Sequence, residues 1–477
     1  MKKLSFIFLA LIILISSISV ISNVGCAVII PPTGGLRDTL PPVLVKASPP
    51  DSSKNFKETH ITLSFDEYVQ LDNVRENLIV SPLPQKDPEV SSKLKTITIR
   101  LRDSLKPNTT YTLNFGRAVK DVNEGNIARN FSYLFATGSR FDSLTISGRV
   151  VLAESGKIDT TLTVMLHQHG DDSAVVNEKP RYIARLDSLG NFTFRHLPAD
   201  TFYVYALDDQ GGGHRYLSEK QLFAFADSAV IVPGNNKPII LYAYGEKSAA
   251  QKTPSRSSSL PGISVRPRGG NNSEKRLRLQ TNISNNQLDL LSNLEISFEQ
   301  PLKNLDTSLI HFSQDTTFTP VVGYQLLTDS TNKELTLQYK WKENTLYHLV
   351  LEKTFAVDTL GRGLLKTDTL SFKTKKLTDY GSLILRFRGY DPSLNPVLEF
   401  IQNDNVIKSI PLISARVDQA IFLPGDYDLR ILQDRNKNGK WDPGEFFGKR
   451  IQPEIVKPVK RKITVKADWD NEFDIQL

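Results

Sequence analysis

The chain has 477 residues, of which 39% are hydrophobic and 23% charged, with a formal net charge of +7 and one cysteine. A single cysteine excludes any internal disulfide, so the fold must rest on ordinary hydrophobic cores in domains of normal size. The length suggests three or four of them, and so mild a charge excess gives no reason to expect nucleic acid as a partner.

The chain opens as an export signal. Lys2 and Lys3 make a positive start, an apolar stretch runs from Phe6 to about Val24, and Gly25 precedes Cys26. That order reads as a signal peptide over residues 1–25 rather than a spanning helix, although the stretch approaches spanning length. Asn23-Val24-Gly25-Cys26 resembles a lipobox, with Asn23 where leucine is usual. The resemblance implies acylation of Cys26 and a membrane held through the lipid, since more than one acyl chain anchors lastingly. Residues 26–40, with Pro31 and Pro32, read as an extended tether.

Beyond the tether the chain repeats itself, and the repeat governs the rest of the reading. Ile61 to Glu67 matches Leu294 to Gln300, Asn108-Thr109-Thr110-Tyr111 matches Asn344-Thr345-Leu346-Tyr347, and Leu197-Pro198-Ala199-Asp200 matches Leu423-Pro424-Gly425-Asp426. Within each copy the apolar residues alternate. Ile61, Leu63 and Phe65, then Ile97 and Ile99, then Tyr111 and Leu113 fall on one face of short runs separated by turn residues. Short alternating strands with regular turns predict an all-β chain of tandem β-sandwich modules, duplicated as two two-module units.

Residues 41–138 resemble the bacterial Ig-like domain of the SbsA S-layer type. The residues that carry the likeness are Pro41-Pro42-Val43, Ser64-Phe65-Asp66-Glu67, Asn108 to Leu113 and Asp121-Val122-Asn123-Glu124-Gly125-Asn126. Residues 276–375 repeat it in degenerate form. Residues 139–245 resemble the transthyretin-like or carboxypeptidase regulatory-like sandwich, through Asp187 to Phe194 and Leu197 to Tyr203. Residues 376–477 repeat that module. Together the set resembles Ig-like lipoproteins of the Bacteroidetes, which implies the cell envelope and the outer membrane, on either face. Residues 246–275 lack any apolar period and read as a disordered linker about which the two units reorient.

The sharpest local pattern is Asp434 to Glu445. Oxygen side chains stand at positions 1, 3, 5, 9 and 12 as Asp434, Asn436, Asn438, Asp442 and Glu445, with Gly439 at 6 and the Lys440 carbonyl at 7. That is the ligand spacing of an EF-hand calcium loop, here following a strand. Ca2+ and a self-bonded Asx-rich turn are equally good readings of it. The aligned loop of the first copy has lost an oxygen and carries Tyr216 at position 9, so no metal is expected there. His167 and His169 share the parity of one strand face, a spacing zinc can use, but a solvated face is the better reading. No nucleophile elbow or catalytic set emerges. The expected function is a non-catalytic envelope scaffold or adhesin whose partner is an envelope protein or polysaccharide. A carbohydrate-binding surface, with Trp341, Trp441 and Trp469 as candidates, is the alternative, and a glycan-processing enzyme the least favoured.

Overall fold

A computed structural model describes residues 37–209, 211–234, 237–246 and 276–477. The signal, Cys26, most of the tether and residues 247–275 lie outside the described residues. The described part is all-β, and it falls into two compact units that divide between Asp142 and Ser143.

The first unit is one sandwich. Leu44–Ser48, His60–Phe65, Thr96–Arg100 and Glu89–Lys93 form one antiparallel sheet, and Ile79–Ser81, Thr110–Asn114 and Ser132–Ala136 the other. Alternation does what it should. Ile61, Leu63, Ile97 and Ile99 from one sheet and Leu113, Tyr133 and Phe135 from the other are fully buried in a single core.

The second unit holds three sandwiches. In the first of them, Leu144–Leu152 pairs with Asn191–Leu197 on one side and runs parallel to Ile239–Ala243 on the other. The facing sheet is Tyr182–Arg185, Leu162–His167, Asp200–Asp208 and Phe223–Phe225. The last sandwich copies this wiring. Gly381–Arg388 pairs with Arg416–Phe422 and runs parallel to Asp470–Gln476, facing Asn405–Pro411, Pro396–Gln402, Gly425–Gln433 and Ile455–Pro458. Between them, Leu279–Thr281, Leu294–Phe298, Glu334–Gln338 and Gln325–Thr328 reproduce the four-stranded sheet of the first unit. The duplication extends to buried detail. Asp121 accepts backbone N–H bonds from Glu124, Gly125 and Asn126, and its counterpart Asp358 accepts them from Leu360 and Arg362. Both are fully buried, and burial acts to raise their pKa values, but the N–H bonds, joined at Asp358 by the Arg362 guanidinium, outweigh it and hold each carboxyl below its ordinary range.

The expected reorientation of the two copies about the linker is corrected by this division. The sandwich from Ser143 to Glu246 belongs to the same compact unit as everything after the linker. The reason is a joint between it and the last sandwich, built by the loop that the sequence marks.

Candidate functional site

Gly425–Gln433 leads directly into Asp434. This aspartate is 2% exposed, and its carboxylate holds the following turn from inside. Asn438 N–H donates to Oδ1 at 3.2 Å and Gly439 N–H to Oδ2 at 2.7 Å. Gly439 stands at φ 75°, a left-handed conformation that glycine adopts without strain. The side-chain amides of Asn436 and Asn438 donate to Asp442 Oδ2 at 2.7 and 2.6 Å. Their own Oδ1 atoms accept the backbone N–H groups of Asn438 and Lys440. The loop is therefore closed by its own side chains, as an Asx-rich turn is.

Asp434, Asn436, Asn438, Lys440 and Asp442 are brought together. Glu445 is not brought with them. Its carboxylate meets Lys449 at 2.9 Å, and its backbone pairs with Ile451. Among the described residues, no three His, Cys, Asp or Glu side chains form a group that could hold a metal ion.

The carboxylate that does bind the loop is Glu454, which sequence spacing misses. Its Oε1 accepts from Arg435 N–H at 2.7 Å, its Oε2 from Asp442 N–H at 3.1 Å, and its carbonyl from Trp441 Nε1 at 2.7 Å. Burial, reinforced by the charges of Asp434 and Asp442, raises the Glu454 pKa, although the two N–H bonds work against it. Calcium-loop spacing stops at position 12, so nothing in the pattern points as far along as Glu454.

Past Asp442 the loop crosses to the other sandwich. Phe446, fully buried, enters an aromatic pocket on the outer face of the sheet that carries Asp200–Asp208. Its ring lies 4.9 Å from Phe223, 5.1 Å from Phe225 and 5.8 Å from Tyr205. Phe447 stacks on Tyr216 at 5.7 Å. Polar contacts frame the insertion. Arg450 Nη2 meets Asp172 Oδ1 at 2.7 Å, Gly448 N–H donates to Asp172 Oδ2 at 2.9 Å, and Phe446 N–H donates to Glu246 at 2.9 Å. On the near side Trp441 packs over Val397, Leu432 and Val456. A second bridge joins Val456 N–H to the Ala153 carbonyl at 2.9 Å.

The sequence holds a trace of this joint. Phe202 to Leu207 reads as an apolar run with no polar face. Phe202, Val204 and Ala206 point into the sandwich core, while Tyr205 and Leu207 belong to the joint. A strand covered on both faces loses its alternation. The aligned loop of the first copy contributes as well. Tyr216 is buried, with its ring 4.5 Å from Phe223. Asp209 in that loop pairs with His214, and Gln210 lies outside the described residues.

The remaining candidates separate. His167 is 1% exposed and meets Tyr205 edge-on at 5.5 Å, and burial pushes its pKa down to about 4. His169 is exposed and pairs with Glu178 at 2.9 Å. The expected solvated face is thus corrected for His167, because the joint covers that side of the sheet. Trp341 packs on the third sandwich core with its Nε1 donating to the Ser292 carbonyl at 2.8 Å. Of the three tryptophans only Trp469 is exposed, at 62%, with Lys466 Nζ 4.8 Å above its ring.

These geometries can be set beside known proteins. Residues 38–137 match the family model of a bacterial Ig-like domain. That range is the sandwich of the first unit. No curated protein matches the chain. Among solved structures, the N-terminal part of the bacterial S-layer protein SbsC is 16% identical with a TM-score of 0.16, over 43% of this chain and 44% of its own. The chain thus spans less than half the length of that structure. The TIE protein of Bacillus anthracis is 11% identical, TM-score 0.16, over 93% and 75%. BcpA, the major pilin subunit of Bacillus cereus, is 9% identical, TM-score 0.16, over 70% and 99%.

Proposed function

We propose that this chain is a non-catalytic lipoprotein of the cell envelope, a structural or adhesive scaffold anchored through Cys26. The observation that carries the reading is the joint. The most specialised loop in the chain spends its aromatic side chains on fixing one sandwich to another, which suits a load-carrying or spacing element. The bacterial Ig-like match over residues 38–137 agrees with such a role. The apolar stretch ending at Cys26 supplies the anchor. The test is metabolic labelling with an alkyne fatty acid in a bacterium with a lipoprotein pathway. The wild-type chain takes up label and fractionates with membranes. Cys26→Ser abolishes both, and label that persists in that variant defeats the anchor.

Calcium at the loop is the second part of the proposal, in altered form. Asp434, Asn436, Asn438, Asp442 and the Lys440 carbonyl would hold the ion. Glu445, turned to Lys449, would take no part.

A further inference from the structure

The third and fourth sandwiches flank a half-open cavity of about 380 Å3 that no part of the scaffold reading uses. Leu291 from the third sandwich and Ile407, Phe422 and Leu423 from the fourth give it apolar walls, and its two charged groups are Asp289 and Lys408. The two charges are not in the same state. Asp289 is satisfied where it stands. Its Oδ1 accepts from Tyr380 Oη–H and Leu291 N–H, both at 2.9 Å, and Lys375 Nζ lies 3.5 Å from Oδ2. Lys408 has no such compensation. Its Nζ donates to Gln419 Oε1 at 2.8 Å and sits 5.1 Å from the centre of the Phe422 ring. Among the described residues no carboxylate comes within ion-pair distance of it.

A half-buried ammonium held by a neutral amide and an aromatic face lacks a counter-charge, and an ion out of water without a partner is costly. Burial accordingly lowers the Lys408 pKa, with no acid to oppose it. An anion placed at Nζ would supply the missing charge, and an apolar tail would displace water from walls of leucine, isoleucine and phenylalanine. We propose that this cavity binds a small anionic amphiphile. Lys408 would pair with a carboxylate head group, and Leu291, Ile407, Phe422 and Leu423 would cover a short alkyl chain.

The experiment is calorimetric titration of octanoate into the purified chain, with octanol as the uncharged isostere. Saturable binding of one octanoate per chain, at least tenfold tighter than octanol, is expected. Lys408→Met should erase that preference, and Lys408→Arg should keep most of it. Melting temperature reports whether each variant is folded. Should Lys408→Met fail to fold, Leu291→Trp provides an independent arm, because it fills the cavity from an exposed position and leaves the ammonium intact. Octanoate binding lost in Leu291→Trp supports the site. Equal affinity for octanoate and octanol, full octanoate binding in folded Lys408→Met or Leu291→Trp, or no binding at millimolar octanoate would overturn it.

Discussion

The rings of Phe446 and Phe223 lie 4.9 Å apart, although each belongs to a different β-sandwich. Both rings are fully buried, and Phe446 finds its aromatic partners Tyr205, Phe223 and Phe225 in the other sandwich. Phe446 hangs on a loop beyond the edge of the last sandwich, and Phe223 faces outward from its sheet. Truncating a fully buried phenylalanine removes transfer free energy and leaves a cavity, together about 3–5 kcal/mol. Phe446→Ala should therefore uncouple the sandwich of residues 143–246 from the last one. Differential scanning calorimetry should show the transition that those two sandwiches share in the wild-type chain split into two. An unchanged profile would mean that the joint does not hold the sandwiches together.

Much of the fold was legible because alternation is a direct record of one-sided burial. Ile61, Leu63 and Phe65 announce their strand, and the repeat announces that Leu294, Ile296 and Phe298 form its copy. The joint was harder to read. Its aromatic residues come from Tyr205, Tyr216, Phe223, Phe225, Tyr244 and Phe446, scattered across two modules, and periodicity reports only what happens within a strand. The apolar run at Phe202 to Leu207 was the available signal, and it says that a second face is covered without saying by what. The loop was half legible. Spacing found Asp434 and Asp442 but chose Glu445 where the fold uses Glu454, because a hydrogen bond to backbone leaves no mark at a fixed offset.

Arg450 and Asp172 give the joint a dependence on acid. Burial acts to raise the Asp172 pKa, but the Gly448 N–H bond and the Arg450 guanidinium outweigh it, so the folded value lies below the ordinary carboxylate range. A carboxyl with a depressed folded pKa contributes stability above its unfolded value of about 3.9, and that stability is lost as pH falls through the folded value. The joint should loosen below about pH 4. In Asp172→Asn the acid-dependent part should be absent, with a lower melting temperature at neutral pH. Thermal scans from pH 7 to pH 3 on both chains check this, and parallel curves would refute it.

His167 acts at higher pH. Burial lowers its pKa from 6.5 to about 4, so the unfolded chain binds the proton more readily than the folded one between those values. Stability from the neutral ring is complete above about pH 6.5 and is lost as pH falls towards 4, by roughly 3 kcal/mol at most. His167→Phe removes the titration and keeps an aromatic ring beside Tyr205. The variant should flatten the stability profile between pH 4 and pH 6.5 in urea titrations. A profile as steep as that of the wild type would assign the slope to another group.

The loop offers the sharpest test of calcium. Asp434 and Asp442 lie among the Asn436 and Asn438 amides, so an entering ion must rotate those amides to present oxygen and replace their bonds to Asp442. That exchange weakens binding, and an affinity in the millimolar range of extracellular modules follows. Calcium should raise the melting temperature of the purified chain at millimolar concentration, and Asp434→Ala should abolish the rise. Glu445→Ala should leave it intact, since that carboxylate faces Lys449. Loss of the effect in Glu445→Ala would instead require the loop to open and recruit position 12. Absence of any calcium effect would leave Glu454 and the asparagines as the sole reason that the loop keeps the shape that carries Phe446 across the joint.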